Sequence, residues 1–154
     1  FPYTTLFRSG KADRQRAEEA LVRVGAGELL RSRPGGLDAP VDERGANFSA
    51  GERQLLAFAR ALYRDSPILI LDEATASVDS DTEARLQVAL EAVMSGRTAL
   101  IIAHRLSTIR AADRIVVFHK GHVVETGSHD ELLALGGTYA RLFEMQAAGY
   151  RQKE

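Results

Sequence analysis

The chain has no cysteine. Disulfides, thiolate nucleophiles and cysteine-based zinc sites are therefore excluded, which fits a reducing compartment such as the cytosol. It also lacks a strong charge of either sign, since 20 basic and 21 acidic side chains leave a net charge of −1. Composition thus gives no case for a nucleic-acid groove or a polybasic membrane patch. Long apolar runs are missing too. The stretches present are a few residues long, far short of the roughly 20 that span a bilayer. Any membrane role has to come from another segment or a partner. No signal peptide, internal repeat or low-complexity tract is found. What is present is 154 residues, 45% hydrophobic and 27% charged, the balance of one soluble globular domain with a real core.

Helical and extended patterns alternate along the chain. Residues 12–24 form an amphipathic pattern with Ala17, Ala20, Leu21 and Val24 on one face, ended by Gly25 and Gly27. A short turn of helix over 28–32 precedes a loop over 33–47, rich in Pro, Gly and Asp. Ser49 and Glu52 have capping-box spacing and open a helix that stops before Pro67. Residues 68–71, Ile-Leu-Ile-Leu, are apolar on both faces, the pattern of a buried parallel strand. A second box, Ser80 and Glu83, starts a helix closed by Gly96, with Leu86, Ala89, Leu90, Val93 and Met94 at helical spacing. Strand 98–103 and a short helix after His104 follow. Strands 114–119 and 122–126 join in a hairpin at Lys120-Gly121. A third box, Ser128 and Glu131, precedes helix 129–135, and a last helix covers 137–148. Strand–helix–strand order at this spacing predicts an α/β fold with a parallel sheet.

Two features suit phosphate chemistry. The start of the second long helix is built from Ser49, Ala50 and Gly51. Unpaired N–H groups and the positive dipole end attract an anion there, and small side chains let it approach. The strand that follows ends in two adjacent carboxylates, Asp72 and Glu73, at the edge where open α/β sheets bind ligands. Either feature alone has a plain alternative. A capped helix is common, as three boxes in one chain attest, and a strand can end in solvated acids. Their succession within one run is what points to a site.

That run, NFSAGERQLLAFARALYRDSPILILDEATAS over 47–77, resembles the signature motif and Walker B segment of ATP-binding cassette (ABC) ATPases. The resemblance covers about residues 11–148. It implies a P-loop NTPase-like ABC ATPase fold, incomplete here: a partial helical subdomain over 11–66 and the C-terminal part of the parallel-sheet core over 67–150. It implies ATP and Mg²⁺ as cofactors. Ser49, Ala50, Gly51 and Glu52 then contact, in trans, the nucleotide held by a second such domain in a homo- or heterodimer. The family pattern is Leu-Ser-Gly-Gly-Gln; here Phe48, Ala50 and Glu52 depart from it, and Glu52 adds a negative charge near a phosphate. Asp72 is expected to hold Mg²⁺ through water, and Glu73 to orient or deprotonate the attacking water. Ser77-Val78-Asp79 resembles the D-loop, and His104 the switch histidine that bonds the γ-phosphate. The other histidines, His119, His122 and His129, are assigned to surface or hairpin positions. Val41-Asp42-Glu43-Arg44-Gly45 resembles the segment just before the signature in exporters, where it touches the cytoplasmic ends of membrane helices; Glu43 and Arg44 are its expected polar contacts.

The phosphate-gripping loop G-x-x-x-x-G-K-[ST] is not in this sequence, since Gly10-Lys11 is followed by Ala12. The adenine-stacking aromatic and the Q-loop glutamine are likewise not placed. The remainder of the domain is expected upstream, and the chain by itself is expected to be inactive. Residues 1–9 match nothing in the pattern and, with residue 10, are left outside the fold as non-native sequence. The expectation is an ATP-hydrolysing part of a multidrug- or lipid-type exporter at the cytoplasmic face of the inner membrane, its transmembrane domains N-terminal in the same chain and nucleic acid not among its partners. The alternatives are a soluble ABC ATPase acting on DNA or ribosomes, against which the exporter-like 41–52 segment argues, and a non-catalytic binding fragment.

Overall fold

Helices and strands alternate as the periodicity predicts. The computed structural model describes residues 13–72, 80–103 and 106–151. They fall into two compact units, 13–71 with 80–101, and 72 with 102–151.

The first unit is built on three helices. Helix α1 (Arg14–Arg23) is capped by Asp13, whose carboxylate accepts from Arg16 N–H at 3.1 Å. A single short helix, α2 (Gly27–Ser32), follows. The stretch expected as loop carries two turns of 3₁₀ helix, Gly36–Asp38 and Glu43–Gly45. Helix α3 (Ala50–Arg64) stops where Asp65 turns left-handed at φ 53°, two residues before Pro67. Arg97 holds that end, its Nη2 lying 2.6 Å from Asp65 Oδ1. Strand β1 (Ile68–Asp72) leads through helix α4 (Ser80–Met94) to strand β2 (Thr98–Ile102), which pairs with β1.

The core of this unit lies where α1 and α4 pack on α3. Ala17, Ala20, Leu21 and Val24 meet Leu55, Ala59, Leu62 and Tyr63, and Leu86, Ala89, Leu90 and Val93 complete the layer. Phe58 is buried with them. The strand expectation needs correction. Leu69 is buried, but Ile68 and Ile70 are 63% and 72% exposed. One face of β1, not both, is covered among the described residues.

Gly51 sets how closely α3 approaches α4. A Cβ built there would overlap the Thr82 side-chain methyl, while Thr82 Cβ and Oγ1 leave ordinary room. Thr82 is β-branched and stiff at χ1, so the methyl cannot simply swing aside.

The second unit holds helix α5 (Leu106–Arg110) and an antiparallel hairpin, β3 (Ile115–His119) and β4 (His122–Gly127). Lys120 and Gly121 both have positive φ, 50° and 80°, as a two-residue type I′ turn requires. A bulge interrupts the register between Val117 and Phe118. Helix α6 (His129–Leu135) opens with the expected box, Ser128 with Glu131, and helix α7 (Thr138–Arg151) follows. The Ser80 box rests on a side chain outside the described residues.

Glu125 on β4 fastens the start of α7. Its carboxylate accepts from the N–H groups of Tyr139, at 2.9 Å, and Thr138. Those two backbone bonds, Tyr139 first, hold its pKa below the usual glutamate value. His119 and His122 are exposed as expected. His129 is not a plain surface residue, because it is half-buried against Tyr139 and Phe143, with Nδ1 2.7 Å from Tyr139 Oη.

Two predictions follow from this packing. In an ordinary helix interior Gly→Ala stabilises by about 0.5–1 kcal/mol. Gly51→Ala should instead destabilise by about 1–3 kcal/mol, the usual cost of overpacking. In a Thr82→Ser background, which removes the obstructing methyl, the sign should reverse. Denaturant unfolding of the four variants checks this.

A carboxylate with a lowered folded pKa contributes stability that is complete above its unfolded pKa and is lost as pH falls through the folded value. Acid should therefore loosen the start of α7, and Glu125→Gln should blunt that dependence. Amide exchange at Thr138 and Tyr139 from neutral to acid pH reads the effect.

Candidate functional site

The site is built on the turn that feeds α3. Asn47 folds that turn, its Oδ1 accepting from Asp42 N–H at 3.2 Å and its Nδ2 donating to Pro40 O at 2.9 Å. Within it Arg44 and Gly45 both have positive φ, 56° and 68°. For arginine that backbone costs about 1–2 kcal/mol. Bonds from Gly45 N–H to Asp42 O and from Ala46 N–H to Glu43 O hold it in place. The Glu43 and Arg44 side chains are exposed and make no ion pair or hydrogen bond with the described residues. They are available to another surface.

Phe48 is buried, which anchors the chain just before the helix. Ser49 then caps α3. Its Oγ accepts from Glu52 N–H at 3.1 Å, and Glu52 Oε2 accepts from Ser49 N–H at 2.7 Å. The box occupies two of the four N–H groups that a helix start leaves open. Ala50 and Gly51 N–H find no acceptor among the described residues. Two adjacent donors therefore stand at the positive end of a 15-residue helix. An open cleft of about 610 Å³ adjoins them, lined in part by Ser49, Gly51, Glu52, Thr82 and Arg85. This arrangement can hold an anionic oxygen.

Glu52 stands beside this opening. Its carboxylate turns back to Ser49 and lies 3.6 Å from Arg33 Nη2. Arg33 also donates to Asn47 O at 2.7 Å and stacks 3.8 Å over the Phe48 ring. Sequence reasoning missed Arg33, Asn47 and Thr82. A loop arginine and a helical threonine carry no periodic signal that would mark them as partners of Phe48 and Gly51.

Asp72 ends β1 and is exposed, so its carboxylate is open to a hydrated cation. Among the described residues no three His, Asp or Glu side chains converge on a metal-sized site. One carboxylate is enough for Mg²⁺ when phosphates and water supply the other ligands. Glu73, Ser77, Asp79 and His104 lie outside the described residues.

Comparison with known proteins converges on one family. Residues 1–76 match the family described as ABC transporter. A probable multidrug resistance ABC transporter ATP-binding/permease protein, YheH of Bacillus subtilis (strain 168), is 56% identical over 129 residues, 84% of this chain and 19% of the relative. An ATP-dependent lipid A-core flippase of Bordetella avium (strain 197N) is 52% identical over 137 residues, 89% of this chain and 23% of the relative. The structure of a bacterial Atm1-family ABC exporter with ATP bound superposes with a TM-score of 0.81 at 39% identity, covering 94% of this chain and 25% of that one. The chain thus spans about a fifth of the length of the curated relatives it matches. It belongs to the ABC transporter family, as part of an exporter-type ATPase domain.

Proposed function

We propose that this chain forms part of the ATP-hydrolysing engine of a membrane exporter, working as one of two paired nucleotide-binding domains at the cytoplasmic face of the membrane. One observation carries the reading. The two open N–H groups of Ala50 and Gly51 start the helix that leads into the strand ending at Asp72. Donors for a partner's phosphate and a carboxylate for this domain's own metal thus stand on successive elements of the chain, α3 and β1.

Bound Mg-ATP supplies a phosphoanhydride whose γ-phosphoryl passes to water. Ser49, Ala50 and Gly51 present N–H and O–H donors to a phosphate held mainly by a partner domain, of the same or a different chain. Glu52 completes the cap that keeps those donors aimed outward. Asp72 orients the hydrated Mg²⁺. Glu73 takes the proton of the attacking water, and His104 donates to a phosphate oxygen. Ser77 and Asp79 face the partner domain. Glu43 and Arg44 meet the transmembrane domains, which we place N-terminal in the same protein, in keeping with the ATP-binding/permease name of the Bacillus relative. Without a phosphate-gripping loop in its sequence, the chain by itself is inactive in this reading. No helix of the described residues is long and apolar enough to cross a membrane. The chain's likeness to a multidrug resistance transporter and a lipid A-core flippase supports a multidrug- or lipid-type cargo.

Two substitutions in the full-length transporter test the reading. Glu73→Gln should lower turnover about 10²–10⁴-fold, the usual contribution of a positioned base, and leave ATP binding intact. Ala50→Asp should abolish turnover, because a carboxylate at the open N–H pair repels a phosphate. An acid in the first turn suits the helix dipole, so this variant should melt no lower than the parent. Gly51→Asp is the weaker probe, since it also collides with Thr82. Full turnover in Ala50→Asp would remove the phosphate from this helix start.

The exposed pair at 43–44 generates a separate test. A Glu43→Ala, Arg44→Ala double mutant should keep basal ATPase activity within about twofold, as surface changes away from the chemistry do, but lose stimulation by transported substrate. ATPase rates in reconstituted vesicles, with and without substrate, decide. Unchanged stimulation would reduce this turn to a solvated loop.

A further inference from the structure

A carboxylate at position 52 is the wrong charge for its place. It stands in the first turn of α3, beside two N–H groups open to an anion. The family pattern has a neutral glutamine there. The capping bond to Ser49 explains where Glu52 points, but a neutral glutamine oxygen can accept that bond too, more weakly. The charge needs its own answer.

Arg33 supplies it. We propose that Arg33 is a positioning residue for phosphate binding, which neutralises Glu52 beside the N–H groups of Ala50 and Gly51. The inference rests on the proposed phosphate-facing role of that turn. Arg33 is the C-cap of α2 and reaches the start of α3 across 19 residues of sequence. Its guanidinium lies 3.8 Å over the Phe48 ring and donates to Asn47 O at 2.7 Å, so it grips the two residues just before Ser49. From there Nη2 stands 3.6 Å from Glu52 Oε2, with the two side chains only 23% and 34% exposed. Water screens such a pair less than it screens a surface one. Arg33 Nε is buried with no acceptor among the described residues. An unpaired buried donor is a cost, and an apolar residue on Phe48 would avoid it. The bond to Asn47 O and the stack on Phe48 offset that cost, and the charge beside Glu52 is the part that bears on an anion.

A charge role and a packing role separate in a double-mutant cycle on the full-length transporter, read as kcat/KM for ATP. Arg33→Met keeps the stem over Phe48 and removes the cation. It should lower kcat/KM about tenfold in the parent, a coupling typical of contacting charged residues. In a Glu52→Gln background the same substitution should cost less than about twofold. Equal losses in both backgrounds would make Arg33 a packing residue and overturn the proposal, as would no loss in the parent. If Arg33→Met does not fold, Arg33→Lys and Arg33→Gln replace it. Activity of the Lys variant several-fold above the Gln variant supports the charge role, and equal activities overturn it. The Ala50→Asp variant keeps the two claims apart. If it hydrolyses ATP at the parent rate, the turn does not face phosphate at all. If it is inactive while the cycle shows no coupling, only the assignment of Arg33 fails.

Discussion

The open start of α3 is the constraint on which the rest of the first unit depends. A helix start has unpaired N–H groups, and a protein can fill them all or leave some for a ligand. Here the Ser49–Glu52 box fills two and leaves two. That outcome needs small residues at 50 and 51, a fixed approach of the chain into the cap, and a rigid helix behind it. Phe48, buried under Arg33, fixes the approach. Leu55, Phe58, Ala59, Leu62 and Tyr63, buried along α3, fix the helix. The site is thus a consequence of how α3 is held at both its start and its face.

Gly51 shows one residue meeting two demands. An anion needs a bare backbone at this turn, and the Thr82 methyl of α4 needs the same space from the other side. Either demand alone selects glycine. Together they couple the turn proposed to face phosphate to the helix that precedes β2. A shift of α4 relative to α3 would be felt at Gly51 before it was felt deeper in the core. This contact is a physical route by which strain can pass between the two helices.

Much of this was legible in the sequence because it is local. Capping boxes at 49–52 and 128–131 follow from side-chain reach over three residues. The buried faces of α1, α3 and α4 follow from helical period. The hairpin turn at Lys120-Gly121 follows from the positive φ that such turns demand. The illegible parts are tertiary. Nothing periodic says that Arg33 crosses to Phe48 and Glu52, that Asn47 folds the 40–47 turn, or that Glu125 ties down α7. His129 looked like a surface residue because a polar side chain in a first helical turn usually is one; its ring contacts come from α7. Strand β1 looked buried on both faces because four consecutive apolar residues do not reveal which face is covered. Among the site residues, 49–52 and 72 could be placed, whereas the parts assigned to Glu73, Ser77, Asp79 and His104 rest on resemblance alone.

The two boxes seen in atomic detail show why the motif itself does not make a site. Ser49–Glu52 and Ser128–Glu131 share the same reciprocal bonds. Behind Ser128 stand His129 and Asp130, a ring packed on Tyr139 and an acid. They fill and charge the space an anion would need, and the helix behind them has only 7 residues. Behind Ser49 stand a methyl group and a hydrogen, and the helix has 15 residues. The longer helix carries a fuller dipole, and its first two residues are small. Glu131 has its pKa lowered by the bonds from Ser128, so its negative charge is secured where no anion is wanted. Glu52 carries the same charge where an anion is wanted, and there a cation has been brought within 3.6 Å of it. The same four-residue pattern therefore only caps one helix, while at the other it leaves the open start on which the proposed binding surface rests. The difference lies in the two residues inside the box and the one arginine outside it.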